Sequence, residues 1–458
     1  MPPLDDLVTI YRAAIERVDP YRMIVDQLSL EGEELRVPTE GGELRLDLGR
    51  FRRIIVIGTG KATAKMALGI EEKLRGRIAA GLIAVKRGHT ERLGIIRTIE
   101  AGHPVPDEES IRAGREIREL CRDADETTLF INLISGGGSA CLCLPKEWEE
   151  QGDRRSITLA EKQAVTGALL ACGAEIGEIN CVRKHLSDIK GGGLARICSP
   201  GTSLNLILSD VVGDRLDAIA SGLAVGDSTT YEDALAVLRR YHIEQETPKA
   251  VRHLLELGAA GKVMETPKPG DPIFERVHSV LLGSNLTALG AAAKRAVSLG
   301  YRVTVLTSML TGEAREAAKV FAGIGADIER HDLLSTRPAC VLAGGETTVT
   351  LRGNGKGGRN QELALSFLRE IASGETREST YFLSAGTDGN DGPTDAAGAF
   401  ACARARAAAA EAGLSIDDYL ARNDSYHFFE RIGYLFKPGA TNTNVGDLQV
   451  LIVTSSPR

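Results

Sequence analysis

The sequence predicts an α/β protein built from two α/β domains, the first of them Rossmann-like, and three observations carry that expectation. Strand-like runs alternate with helical periodicity from residue 53 onward, glycine-rich loops follow directly on the strands, and the alternation restarts after a proline-rich break near residue 265. A chain of 458 residues with 43% hydrophobic residues has the length and the apolar content for two or three cores.

The first clear unit is the run Arg53–Ile57, the turn Gly58-Thr59-Gly60-Lys61, and a helix whose Ala62, Met66, Ile70 and Leu74 share one face. A Rossmann-type domain begins in this way. The dinucleotide fingerprint is incomplete, because Thr63 stands at the third glycine position and the next strand, Gly81–Val85, ends in Lys86 and Arg87 instead of an acid for a ribose. A Walker loop fails too, since Ile55 stands where its first glycine belongs. What remains is a helix start with Lys61 at its mouth, suited to a phosphate or a carboxylate.

The second unit is the run Thr128–Ile134 followed by Ser135-Gly136-Gly137-Gly138-Ser139. Three glycines after a buried strand leave amides free to surround an oxyanion, the alternative being a purely structural turn. A hydrolase elbow around Ser139 is excluded because residue 141 is Cys. Further cations come from Arg183, Lys184 and Lys190, the last followed by Gly191, while His185 reads as a packing residue. The strand Leu204–Leu208 ends in Ser209-Asp210 and, soon after, Asp214, where α/β domains hold metal and phosphate.

A helix over Thr230–Tyr241 closes this half, placing the domains at 1–242 and 243–458, with the last strand a candidate to rejoin the first domain. The segment Val263–Pro272, with three prolines, is the natural linker. The second half restarts with strand Val277–Leu282, helix Leu286–Leu299 and strand Tyr301–Leu306. A strand over Thr347–Leu351 leads into a loop with Gly353, Gly355, Gly357 and Gly358, and then a helix carrying Leu363, Ala364, Phe367, Leu368 and Ile371. Lys356 and Arg359 lie beside the amides of that helix start, so the loop reads either as an anion cradle or as a solvated hairpin tip. The strand Thr380–Ser384 precedes an acidic loop with Asp388, whose spacing is not that of an EF-hand, and the strand Leu448–Val453 ends the pattern.

Composition narrows the partners. A net charge of −7 and a pI near 5.8 argue against nucleic acid and against an anionic membrane surface. No run reaches the roughly 20 apolar residues of a membrane span, and the acidic, amphipathic first 30 residues resemble neither a signal peptide nor an organellar presequence. The eight cysteines lack CxxC spacing and read as reduced, packed thiols of a cytoplasmic protein.

Taken together, Ile57–Ala62, Ala101–Asp107, Ile134–Ala140, Ser209–Asp214, Gly344–Val349, Gly355–Glu362 and Ser384–Gly389 resemble the class II, MOFRL-type glycerate 2-kinases, in the motif order of that family and over nearly the whole chain. The resemblance implies a Rossmann-like N-terminal domain and a C-terminal MOFRL-type domain with the site in the cleft between them. It implies ATP, Mg2+ and D-glycerate, with the phosphoryl group passing to the 2-hydroxyl to give 2-phosphoglycerate in the cytoplasm. By matching motif, Lys61 and Arg359 are the expected catalytic residues. Gly58, Gly60, Ser135, Gly136, Gly137, Gly138, Ser139, Lys190, Gly191, Lys356, Gly357 and Gly358 are expected to hold the nucleotide and its phosphates. Asp210, Asp214 and Asp388 are the metal candidates, and Glu346 and Asn360 are candidates for contact with substrate or for supporting the residues that make it. A homo-oligomer is compatible with the sequence but does not follow from it.

One stretch departs from the family pattern. Ala220–Thr230 has Leu223, Gly226 and Ser228 where the family is proline-rich, which predicts a looser loop. Two other functions share some of these features: an NAD(P)-dependent hydroxypyruvate reductase, favoured only by the Gly58-Thr59-Gly60 turn, and a non-catalytic sensor of sugar acids or nucleotides.

Overall fold

The computed structural model describes residues 2–39, 41–372 and 378–455, which form two compact units. One comprises Pro20–Leu282; the other combines Met1–Asp19 with Gly283–Arg458. The division therefore differs from the expected 1–242 and 243–458.

The reason lies in which apolar faces meet. Helix Lys249–Ala259 buries Val251, Leu254 and Leu255 in one cluster with Val165, Leu169, Ile179, Leu235 and Leu238, so residues 243–282 complete the core of the first half. The expected linker is likewise packed into that unit: Val263 and Thr266 are buried, and the Pro267 carbonyl accepts the Asp227 N–H at 2.8 Å. Conversely, the first helix, Pro2–Arg17, buries Leu7, Ile10, Tyr11 and Ala14 against helix Asn285–Ser298 of the other unit.

The 20–282 unit opens with a small antiparallel sheet, β1 (Ser29–Glu31), β2 (Glu34–Thr39) and β3 (Gly42–Asp47). Its main sheet contains β4 (Arg53–Thr59), β5 (Ile78–Lys86), β6 (Ile96–Ala101), β7 (Thr128–Ser135), β10 (Thr202–Leu208) and β11 (Val277–Gly283). Between β7 and β10 lies a separate ribbon, β8 (Glu147–Glu150) with β9 (Asp153–Ser156). The main sheet runs β11-β10-β7-β4-β5-β6, and β10, β7, β4, β5 and β6 are mutually parallel. Counted along the chain this is the doubly wound 3-2-1-4-5-6 order. Strands β4 and β7 are buried along almost their whole length, as expected for a sheet covered on both faces. Their adjacency is the point where the winding direction reverses, the place where such sheets hold ligands at the carboxyl ends of the strands.

The other unit has β12 (Arg302–Leu310), β13 (Ala339–Gly345), β14 (Thr380–Gly386), β15 (Gly398–Cys402), β16 (Leu435–Phe436) and β17 (Asp447–Val453) in the order β12-β13-β17-β14-β15-β16. Only β12 and β13 are parallel; β17 runs antiparallel to both β13 and β14. The last strand thus occupies the middle of this sheet and does not rejoin the first domain. Its seven residues are all buried. The strand expected over Thr347–Leu351 does not form: Thr348 makes a single bridge to Glu313, and Leu351 is 77% exposed. Among the described residues, no helix is long and apolar enough to cross a membrane.

Candidate active site

The carboxyl ends of β4 and β7 set the two N-terminal glycine loops side by side. The Lys61 N–H donates to the Gly136 carbonyl at 2.9 Å, the Ala62 N–H donates to Ser135 Oγ at 3.1 Å, and Thr59 Oγ1 donates to the Gly138 carbonyl at 3.1 Å. Close approach explains the glycines. A Cβ on Gly58 would meet the Leu133 backbone, one on Gly60 would meet Ser135, and one on Gly138 would meet Thr59. Gly137, at φ +79°, adopts the left-handed conformation that a side chain would strain, and a Cβ there would touch the His103 ring and the Lys61 side chain. Helix Thr63–Lys73 starts immediately beyond Lys61.

Parallel pairing of β10 with β7 puts Leu208 opposite Ser135, so the next residues, Ser209 and Asp210, emerge beside Gly136. A Cβ on Gly136 would run into the Asp210 carboxylate. Asp214 follows in a tight turn at φ +52°, its N–H donating to the Val211 carbonyl at 3.0 Å. The neighbouring strand ends contribute Lys86, the last residue of β5, His89 just beyond it, and His103 after β6. Burial, then Lys61, Lys86 and His89, push the His103 imidazole down to about 4, so the ring is neutral at neutral pH. His89 Nδ1 lies 3.2 Å from the Lys61 carbonyl, and burial and Lys86 lower this ring as well.

Ser139 is the centre of a second group. Its Oγ accepts from Arg183 Nη2 at 2.9 Å and from Lys190 Nζ at 2.7 Å, and Lys190 also donates to the Ser139 carbonyl at 2.7 Å. Lys190 is 1% exposed, and burial followed by the charges of Arg183 and Lys162 holds its proton affinity well below that of an ordinary lysine. Burial lowers Arg183 too. Gly191 turns the chain at φ +54°, its N–H donating to the Ser221 carbonyl at 3.1 Å.

The Ala220–Thr230 loop is tied down despite its lost prolines. Asp227 is fully buried and accepts from the Thr229 N–H, Thr229 Oγ1, Thr266 Oγ1 and Lys184 Nζ, the last at 3.2 Å. His185 packs as expected: it is buried, with Nδ1 2.8 Å from the Cys181 carbonyl and Nε2 3.0 Å from Glu265 Oε1.

In the other unit the glycine loop at 353–358 has a different explanation from the one the sequence suggests. Cβ atoms at Gly353 and Gly355 would strike Arg422 and Asp424, one at Gly357 would strike Ser425, and one at Gly358 would strike Asp391. The glycines let the loop lie against residues 422–425 and 391. The helix start at Arg359–Ala372 does take an anion, but an internal one: the Asp391 carboxylate accepts the Asn360 N–H at 3.1 Å and the Gln361 N–H at 2.8 Å. Burial pushes Asp391 up to about 6, against the pull of those amides. Lys356 holds its Nζ 4.2 Å above the centre of the Tyr426 ring.

Arg359 reaches Asp447 with Nε at 2.6 Å and Nη2 at 3.0 Å, and Glu346 with Nη1 at 2.6 Å. Asn360 Nδ2 donates to Asp447 at 2.9 Å, and Ser384 Oγ donates to Asn360 Oδ1 at 2.6 Å. Arg359 and Asn360 therefore meet at one carboxylate, Asp447, and Glu346 joins the group through Arg359. Asp388 turns its Oδ1 back onto the Asn390 N–H at 2.9 Å. Among the described residues, no three His, Cys, Asp or Glu side chains gather into a set able to enclose a metal. Sequence reasoning named Arg183 only as a further cation and gave no role to His89, His103, Asp391 or Asp447. The last two follow strands β14 and open β17, which was a readable signal; the pairing of Arg183 with Ser139 was not.

Comparison with known proteins agrees with this architecture. Residues 339–447 match the MOFRL family and residues 6–256 match a domain of unknown function, DUF4147. The chain is 39% identical over 443 residues to the glycerate 2-kinase of Pyrococcus horikoshii, covering 96% of this chain and 95% of the relative. It is also 39% identical over 447 residues to the D-glycerate 2-kinase of Thermotoga maritima, covering 97% of each. A crystal structure of a Pyrococcus horikoshii protein superposes with a TM-score of 0.86 at 38% identity, covering 100% of this chain and 99% of the other. The glycerate kinase structure from Thermotoga maritima superposes with a TM-score of 0.85 at 37% identity, covering 99% and 100%. Sharing nearly its whole length with these proteins, the chain belongs to the MOFRL-type glycerate kinase family.

Proposed function

We propose that this protein is a glycerate 2-kinase that passes a phosphoryl group from ATP, with Mg2+, to the 2-hydroxyl of D-glycerate in the cytoplasm, giving 2-phosphoglycerate and ADP. The observation that carries this reading is the carboxyl edge of β4 and β7, where Lys61 stands at a helix start beside a triple-glycine loop and Asp210 lies against Gly136. Phosphoryl transfer demands fixed cations, backbone donors and an in-line acceptor more than covalent chemistry. Lys61 has no carboxylate partner among the described residues, so its charge is available to phosphate oxygens. Neutral His103 beside it adds a polar ring without a second charge.

Magnesium is compatible with the residues present. It characteristically takes one or two carboxylates together with substrate phosphates, so a three-ligand protein cage is not required. Asp210 and Asp214, in the loop after β10, are the side chains proposed to hold it, and the ion would supply positive charge to offset that of the phosphates. Arg359 is proposed as the second catalytic cation, with Asp447, Glu346 and Asn360 fixing its fork.

The reductase alternative has the doubly wound sheet in its favour, but β5 ends in Lys86 where a dinucleotide site needs an acid, and Thr63 replaces the third glycine. The deciding experiment is incubation with D-glycerate, ATP and magnesium, the product being offered to enolase without a phosphoglycerate mutase. Turnover by enolase is the expected result. A strict need for the mutase would move the transfer to the 3-hydroxyl, and oxidation of NAD(P)H by hydroxypyruvate without ADP release would replace the kinase by the reductase.

A further inference from the structure

The Ser139 group offers more than phosphate binding, and its hydrogen atoms can be placed by elimination. Ser221 Oγ donates to Asn180 Oδ1 at 3.1 Å, so its proton is committed. The contact between Ser139 Oγ and Ser221 Oγ, 2.8 Å, must then carry the Ser139 proton. The Ser139 oxygen is thereby left as an acceptor, and both acceptor positions are taken by Arg183 and Lys190. One serine hydroxyl thus holds a guanidinium and a lysine amine together. Neither has a carboxylate partner among the described residues, although Lys190 is 1% exposed and Arg183 is mostly buried. A buried guanidinium is ordinarily paired with an acid, so Arg183, held here by a hydroxyl, is open to an anion brought by a substrate.

Its chemistry follows from the charge on offer. Arg183 remains protonated, whereas Lys190 binds its proton weakly, because burial and then Arg183 and Lys162 disfavour the charge. The group therefore matches an anion of about one negative charge better than a triphosphate, and the guanidinium fork matches the two oxygens of a carboxylate. The phosphates have a separate cradle in the Lys61 and Gly136–Gly138 loop, next along the same chain segment. The backbone also strains to build the group: Ala220 and Ser221 both sit at positive φ, +49° and +61°, which puts the Ser221 hydroxyl on Ser139.

We propose that Arg183 and Lys190, held together by Ser139, bind the carboxylate of the acceptor, so that this cluster selects a small hydroxy acid over the corresponding neutral alcohol. Ser221 and Asn180 are positioning residues that act by orienting Ser139. The proposal rests on the kinase reading.

The test compares D-glycerate with glycerol, which offers hydroxyls but no carboxylate, in wild type, Arg183→Gln, Arg183→Lys and Ser139→Ala, with ATP affinity measured by calorimetry on each protein. Arg183→Gln should lower kcat/KM for D-glycerate by about 100-fold, mainly through KM, while the glycerol rate and the ATP affinity stay within about twofold; Arg183→Lys should recover only part of the loss. Ser139→Ala, a small deletion, should raise KM for D-glycerate about tenfold, and it decides the matter if Arg183→Gln does not fold. Unchanged KM for D-glycerate in the folded variants, or a loss of ATP affinity in its place, would overturn the carboxylate assignment and leave the kinase intact. Absence of ADP release by the wild type would instead remove the kinase reading itself.

Discussion

Arg359 grips Asp447 with two nitrogens, Nε at 2.6 Å and Nη2 at 3.0 Å, while its third nitrogen reaches Glu346 at 2.6 Å. The carboxylates and their hydrogen bonds outweigh the cost of burying the guanidinium, and its proton affinity rises above the ordinary arginine value. A bidentate grip on a fully buried carboxylate fixes the plane of the fork, which is what a donor aimed at a transferring phosphoryl group requires.

Arg359→Lys should therefore do two things at once. An ammonium cannot serve both Asp447 oxygens and Glu346, so kcat should fall on the order of a hundredfold or more, and leaving Asp447 short of donors should cost about 3 kcal/mol of stability. Steady-state kinetics and thermal unfolding on the same preparation separate the effects. A destabilised variant with wild-type kcat would leave Arg359 a purely structural residue.

His103 provides a spectroscopic test of the proposed phosphate cradle. The free ring titrates at about 4, held down by burial and by Lys61, Lys86 and His89. A bound phosphate would offset those cations, so the pKa should move up toward 6.5 when ATP is added. Proton NMR titration of the imidazole follows it; a pKa that ignores the nucleotide would place the phosphates elsewhere.

Gly136→Ala directs a methyl into the Asp210 carboxylate. The loop and Asp210 cannot both keep their places, so kcat should drop by about 100-fold, a loss of the size that a misplacement near 1 Å produces. Circular dichroism should show the fold retained. Full activity in the alanine variant would mean that the packing of Asp210 on this loop has no part in the reaction.

Buried His185 and its half-buried partner Glu265 predict a pH dependence of stability. Burial disfavours the imidazolium, yet Cys181 and Glu265 outweigh it and raise His185 from 6.5 to about 9; Glu265 falls from 4.5 to about 2, where His185 and two backbone N–H groups overcome burial. A raised histidine stabilises fully below its unfolded value and loses that contribution as pH climbs through the folded value. A depressed carboxylate does so above its unfolded value and loses it as pH falls. The pair should contribute fully between about 4.5 and 6.5 and fade toward pH 9 and pH 2. The stability gap between wild type and His185→Gln should shrink from pH 6.5 to 9.5 by on the order of 1 kcal/mol, a discounted figure because Glu265 is partly exposed. A gap that stays constant across that range would show that folding does not hold the proton on His185.

Much of this architecture could be read from the residues alone. The strands β4, β7, β10 and β14 announce themselves as apolar runs ending in glycine or acid, and the helix after Lys61 shows its buried face in Ala62, Met66, Ile70 and Leu74. Local pattern was less informative where long-range packing decides. Helix Lys249–Ala259 belongs to the first core because of partners 60 or more residues earlier, such as Val165 and Ile179, and the Pro2–Arg17 helix belongs to a sheet that starts some 300 residues later. The glycine loop before Arg359 shows a related limit of local pattern: its glycines also answer to residues 422–425 and Asp391, and spacing alone does not reveal those partners.

The central place of β17 has a consequence for synthesis. Residues 20–282 are contiguous and leave the ribosome with every strand of their main sheet present, so that unit can fold while translation continues. The surrounding unit cannot, because β13 and β14 are joined only through a strand made more than 60 residues after β14. Until that strand emerges, the first helix has no finished sheet to dock on and the edges of β13 and β14 stand unpaired. The nascent chain is therefore most exposed to mispairing and to chaperone capture late in translation, and the carboxylate that secures Arg359, at the first position of β17, is made only then.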